Sequence, residues 1–171
     1  MSLSVTREEG IEVYQNPNIS FTTMKRTVTS LTDATKTVTA AESGTIFTLN
    51  RAAGIVVTLP AAEAGLYYDF HIGTTGTSNS YTISAASDAD TMQGVILHMD
   101  KDDVGTAVAL NENVDTNGFN VPAAADHQLI LNSDADGRFL GGYVSCVAIT
   151  DAIWMVTGHL FGDGTVTHNF D

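Results

Sequence analysis

Reactive and strongly charged side chains are scarce in this chain. Among 171 residues there is one cysteine, one tryptophan, three prolines and seven basic residues. A lone cysteine, Cys146, forbids an internal disulfide, so packing and hydrogen bonds must hold the fold and no oxidising compartment is implied. Its neighbours in "GGYVSCVAI" are apolar, which predicts a buried, inert thiol rather than a nucleophile. Charged residues make up only 16% of the chain, so its polar surface must be largely Thr, Ser, Asn and Gly. The opening "MSLSVTREEG" has no basic stretch leading into an apolar one, so no signal peptide is expected. No apolar run approaches the length of a membrane span, and synthesis in a cytoplasm is expected. Helical periodicity is nearly missing. The best candidates, "AAEAG" at 61–65 and "PAAAD" at 122–126, are too short to be more than turns.

The charge that is present is uneven. Arg7, Lys25, Arg26 and Lys36 are balanced within the first 36 positions by Glu8, Glu9, Glu12 and Asp33. The net charge of −13 therefore belongs to residues 37–171, where the only cations are Arg51, Lys101 and Arg138. Such a body repels nucleic acid, whose binding requires Lys and Arg at phosphate, and its acidity favours solubility.

What the sequence has in quantity is short strands. "RTVTSL" (26–31), "KTVTA" (36–40), "TIFTLN" (45–50), "GIVVTLP" (54–60), "LYYDFHI" (66–72), "SYTISA" (80–85) and "VILHM" (95–99) follow one another with turn residues between. "TAVAL" (106–110), "QLILN" (128–132), "GYVSCVAIT" (142–150), "AIWMVTGHL" (152–160) and "GTVTHNF" (164–170) continue the pattern, and "IEVYQ" (11–15) and "NISFTT" (18–23) precede it. Many short strands at close spacing predict an all-β β-sandwich or jelly-roll-like barrel. Alternation assigns faces: Leu66, Tyr68, Phe70 and Ile72 to the core, with Tyr67, Asp69 and His71 opposite. Ile55, Val57 and Leu59 share a core face, as do Tyr81, Ile83 and Ala85. The strands at 142–150 and 152–160 are apolar on both sides, so they should be central or covered on both faces, with Trp154 a core anchor. Residues 1–36, polar and broken by "QNPN", are expected to form an extended N-terminal arm ahead of a body at 37–171, and such an arm can add a strand to a partner's sheet. The stretch 100–120 reads as an acidic excursion closing on a turn at Asn117-Gly118.

Candidate chemistry is thin. "NSDADG" sets Asn132, Asp134 and Asp136 at alternate positions before Gly137, as a calcium loop opens. Tyr143 stands where such a loop needs a bidentate Glu, so it fails as an EF-hand. A looser calcium turn at Asn132, Asp134 and Asp136, or a plain acidic β-turn, is left. "SDAD" (87–90) and "DKDD" (100–103) read the same way. His71, His98, His127, His159 and His168 lack metal-ligand spacing and are expected to be solvent-facing strand residues. There is no nucleophile elbow and no phosphate loop, and the few aromatic residues are expected on core faces. No catalytic residue and no cofactor is expected.

The run "KTVTAAESGTIFTLNRAAGIVVTLPAAEAGLYYDFHIG", continuing through "SNSYTISAASDADTMQGVI" to "IWMVTGHL", resembles small structural proteins of tailed bacteriophages, head decoration (cement) proteins in particular. The pattern is a Thr-Val-Thr strand, then "SGTIFTLN", "VTLP", a turn with Gly65, an aromatic strand, "YTI" and a late Trp before Gly, over residues 36–160. The resemblance implies an all-β homotrimer that is part of the virion and binds the major capsid protein on the outside of a capsid. It implies no membrane, nucleic acid or enzymatic activity. A carbohydrate-recognising sandwich of a phage fibre or tail, with calcium, is the alternative from another class.

Overall fold

The computed structural model describes residues 25–100, 118–132, 137–163 and 169–171. Among the described residues, eleven strands form two facing sheets, an all-β sandwich, with one short 3-10 turn at Ala40–Glu42. In chain order the strands are β1 (Val28–Leu31), β2 (Thr35–Thr37), β3 (Ile46–Leu49), β4 (Ile55–Thr58), β5 (Tyr67–Ile72) and β6 (Tyr81–Ser84). They continue with β7 (Thr91–Asp100), β8 (Gly118–Asn120), β9 (Gln128–Leu131), β10 (Tyr143–Thr150) and β11 (Ile153–Gly162). The 7-stranded sheet runs β1-β3-β5-β10-β11-β7-β8 and the 4-stranded sheet β2-β4-β6-β9.

Residues 28–84 wind as a coil of strands. Successive strands alternate between sheets, so β1, β3 and β5 stack in parallel in one sheet while β2, β4 and β6 stack in parallel in the other. Parallel neighbours need a long crossover, which is usually a helix. Here the strand in the opposite sheet does that work, so no helix is required. The second half closes the sandwich differently. β10 and β11 form an antiparallel hairpin with a register shift between Ala148 and Thr150, and this hairpin sits between β5 and β7. β9 pairs antiparallel with β6, and residues 169–171 pair with the far edge of β9 through the Leu129–Phe170 bridge.

The core lies between the sheets, and strand alternation builds it. Every residue assigned to an inner face from the sequence is buried: Leu66, Tyr68, Phe70 and Ile72; Ile55, Val57 and Leu59; Tyr81, Ile83 and Ala85. Phe47 stacks on Phe70 at 5.5 Å between ring centroids, and Trp154, fully buried, leans on Tyr68 at 5.9 Å. β10 and β11 are central, as expected. Among the described residues, however, they are covered on one face only, since Val147 and Ile149 are exposed.

The expected arm needs correction in its second part. Residues 28–31 and 35–37 are strands of the two sheets, and Leu31 joins the core because its side chain follows Thr29 onto the inner face beside Phe47 and Leu49. Residues 1–24, with the strand candidates at 11–15 and 18–23, lie outside the described residues, as do the candidate at 106–110 and most of that at 164–170. Gly118, expected in a turn, opens β8. The helix candidates at 61–65 and 122–126 are turns. The 3-10 turn at Ala40–Glu42 carries a capping box: the Thr39 backbone N–H and hydroxyl donate to the Glu42 carboxylate at 2.9 and 3.0 Å.

Candidate interaction surface

Side chains that alternate with the core residues form the outer face of the seven-stranded sheet. Its rows follow from the register. Tyr143 pairs with His71 on β5 and His159 on β11, and these lead on to Thr48 and Leu97. The rings meet: His71 lies 5.1 Å and His159 5.3 Å from Tyr143 between centroids, and Phe161 follows 6.5 Å from His159. The next row sets Ser145 between Asp69 and Thr157, with Ile46 and Val95 beyond. A third sets Val147 between Tyr67 and Met155.

Most exposed large apolar side chains collect here. Val28, Tyr67, Val95, Met99, Val147 and Ile149 lie on this face, leaving Val56, Val121 and Leu140 for the rest of the described surface. The outer face of the four-stranded sheet contrasts with it. There Thr35, Thr37, Thr58, Thr82 and Ser84 alternate with the core beside Val56, Gln128 and Ile130, and hydroxyl groups are in the majority.

Charge is nearly excluded from the apolar face. Its only strand carboxylate whose side chain is described, Asp69, is buried and accepts a hydrogen bond from the Arg26 guanidinium. Arg26 also donates to the Gly44 carbonyl at 2.7 Å and lies 5.4 Å above the Tyr67 ring, so one cation ties the start of β1 to β5. The remaining described acids sit mainly in turns and loops: Asp33, Glu42, Glu63, Asp88, Asp90, Asp126, Asp151 and Asp163.

The expected site residues are dispersed. Asn132 is exposed at the end of β9, while Asp134 and Asp136 lie outside the described residues. Among the described residues no three of His, Cys, Asp and Glu gather as a metal site. "SDAD" is the acidic turn of the plainer reading: the Asp90 N–H donates to the Ser87 carbonyl at 3.0 Å. The histidines need one correction. His71 and His127 are half-buried and His159 is exposed, but His98 is fully buried. It follows Met92 and Ile96 on the inward positions of β7, so strand parity carries it into the sandwich. His168 lies outside the described residues. Cys146 is buried, and that burial, with the nearby Asp69 charge second, pushes its thiol far above the ordinary range, as expected of an inert cysteine.

The aromatic expectation is also corrected. Tyr143 and Phe161 are not core residues; they line the outer face together with Tyr67, which alternation assigns there. The signal was present in the alternation of "GYVSCVAIT", where Val144, Cys146 and Ala148 take the inner positions and leave Tyr143 outside. No helix among the described residues is long and apolar enough to cross a membrane. Comparison with protein-family models, with curated proteins and with solved structures gives no match for this chain.

Proposed function

We propose that this chain is a non-enzymatic structural protein of a tailed-bacteriophage virion, which binds the major capsid protein on the outer surface of the shell as a homotrimer. One observation carries the reading: among the described residues, whose acids sit mainly in turns and loops, one broad sheet face is largely apolar and nearly free of charge. Contiguous exposed apolar surface on a soluble domain marks a place where another macromolecule sits. The strand and turn pattern over 36–160 supports a particle component. The acidic turns suit a protein that must stay soluble at high copy number before assembly. Weak contacts repeated over a lattice would then add through multivalency.

The test is cosedimentation of the purified chain with capsid shells of a tailed phage whose genome encodes it, the shells being prepared without it. Saturable binding at a fixed copy number per capsid subunit, with a raised temperature of shell disruption, is expected. Shells that sediment bare at saturating protein would refute the reading.

The second reading, a carbohydrate-binding module of a fibre or tail, has its own observation: the half-exposed Tyr143 ring between His71 and His159. An exposed ring can stack on a sugar face. Glycan binding that is lost in Tyr143→Ala, and lost with chelator if calcium at Asn132, Asp134 and Asp136 takes part, would favour it over the capsid.

A further inference from the structure

We infer that the outer edge of β9 is a binding site for an extended polypeptide strand carrying one aromatic side chain, and that residues 169–171 fill it from within the chain in this structure.

β9 is an outermost strand of the four-stranded sheet and pairs antiparallel with β6 on its inner side. By strand alternation the N–H groups of Leu129 and Leu131 point to β6, and those of Gln128 and Ile130 point away from it. A short segment meets this second edge. The Gln128 N–H donates to the Asp171 carbonyl at 2.7 Å, and the Asp171 N–H donates back to the Gln128 carbonyl at 3.0 Å. The Ile130 N–H donates to the Asn169 carbonyl at 2.7 Å, and the His127 N–H adds a further bond to the Asp171 carbonyl at 2.7 Å. Between these bonds Phe170 lies opposite Leu129 and enters the core, only 4% exposed.

This is the division of labour of strand addition, in which main-chain bonds supply affinity and a side-chain pocket supplies selection. The bonds from Gln128, Ile130 and His127 would hold any extended strand. The place of Phe170 asks for a large apolar ring. The framework of the site does not depend on its occupant, because β9 is tied to β6 through four residue pairs and itself puts Leu129 and Leu131 into the core. A three-residue segment on an outer edge belongs to the layer that opens before the inner strands do. Its release would bare main-chain donors and an apolar socket together, and a partner's strand of the same kind satisfies both. The other outermost strands, β1, β2 and β8, pair on one side only among the described residues. β9 is the edge at which both acceptor and occupant are seen.

Hydrogen exchange of the full chain, read amide by amide by NMR, is the first half of the test. Gln128 and Ile130 should exchange about a hundredfold or more faster than Leu129 and Leu131, because release of 169–171 alone frees them. Phe170→Ala should speed those two amides by about a further hundredfold. The second half adds a blocked peptide of residues 167–171, Thr-His-Asn-Phe-Asp, to the Phe170→Ala chain. Saturable binding that slows exchange at Gln128 and Ile130 again is expected. The wild-type chain should bind the peptide about tenfold or more weakly by comparison, because its own segment competes. The same peptide with Phe170→Ala should not bind. Circular dichroism reports whether the variant chain folds; if it does not, Phe170→Leu, which keeps an apolar side chain, takes its place. Equal protection of all four amides in the wild-type chain overturns the inference, since 169–171 would then leave only when the whole sheet opens. So does a folded variant that ignores the peptide, or an alanine peptide that binds as well as the phenylalanine one. Failure of both variants to fold overturns it too, because Phe170 would then belong to the framework.

Discussion

Replacing Gly94 with alanine tests whether the packing of β7 against β11 is as tight as the register requires. Gly94 has φ +127°, a region that side chains rarely adopt, and it pairs with Val156 on β11. A Cβ there would overlap the Val156 carbonyl oxygen well inside 3.0 Å, and it would also meet Met155 Sδ at 3.1 Å. The sulfur can move but the carbonyl cannot, because Val156 is also paired with Cys146 on β10. Gly65 is the control. Its φ is +96°, yet nothing lies within 4 Å of the added carbon, so Gly65→Ala carries backbone strain without overlap. That strain is worth about 1–2 kcal/mol. Gly94→Ala adds the displacement of a central strand, for a total of about 4 kcal/mol or more. In a chain of this size the two variants should melt roughly 2–8 °C and roughly 8–16 °C below wild type. Urea titration followed by circular dichroism gives both free energies. If Gly94→Ala falls within about 1 kcal/mol of Gly65→Ala, the close approach of β7 and β11 is refuted.

Tyr81→Phe should cost about 1–2 kcal/mol by the same urea assay, because the buried hydroxyl lies 2.6 Å from the Thr74 carbonyl and 2.9 Å from that of Arg51 and donates to them. Burial also raises the Tyr81 phenol above its ordinary value, with Arg138 and Arg51 opposing, so its ultraviolet titration should come later than that of a free tyrosine. Burial alone would raise the Glu42 carboxyl, but hydrogen bonds from Lys36 at 2.6 Å and from Thr39 outweigh it and hold the group below 4.5. A depressed carboxyl stabilises the fold above its unfolded value and loses that contribution as pH falls through the folded one. Glu42→Gln should therefore cost about 0.5–1 kcal/mol at neutral pH, and the difference from wild type should shrink below pH 4.5. Cys146 should resist an aromatic disulfide reagent in the native chain and react fully in denaturant; prompt reaction in buffer would show that the core is open at β10.

The sequence revealed faces better than partners. In "LYYDFHI" the period-two pattern separates Tyr68 and Phe70 from Tyr67 and His71, because one side of the strand must leave water and the other need not. No such local rule says that β4 and β5, adjacent in the chain, belong to different sheets, or that β10 and β11 slot between β5 and β7. Those pairings depend on contacts between distant residues. Arg26 shows the same limit: in sequence it is one more polar residue of an arm, and its anchoring role appears only when β5 brings Tyr67 and Asp69 alongside. His98 was legible by parity from Ile96, but its polarity argued for solvent, and the strand geometry prevailed. The apolar outer face was partly legible, since β10 and β11 read as apolar on both sides. What that pattern did not reveal is that the described chain leaves the second side uncovered.

The alternation of the first six strands between sheets has a consequence for biosynthesis. A coil can be laid down in the order in which it is made: each new strand finds its parallel neighbour already in place. β7 breaks that order. It leaves the ribosome before β10 and β11, the strands that join it to β5, so at that stage the growing chain holds a half-sheet ending at β5 and a long strand awaiting its connection. The β10–β11 hairpin is the piece that unites the sheet, and a chain cut short after β9 would leave open the edges of β5 and β7 that this hairpin covers and the edge of β9 that residues 169–171 cover.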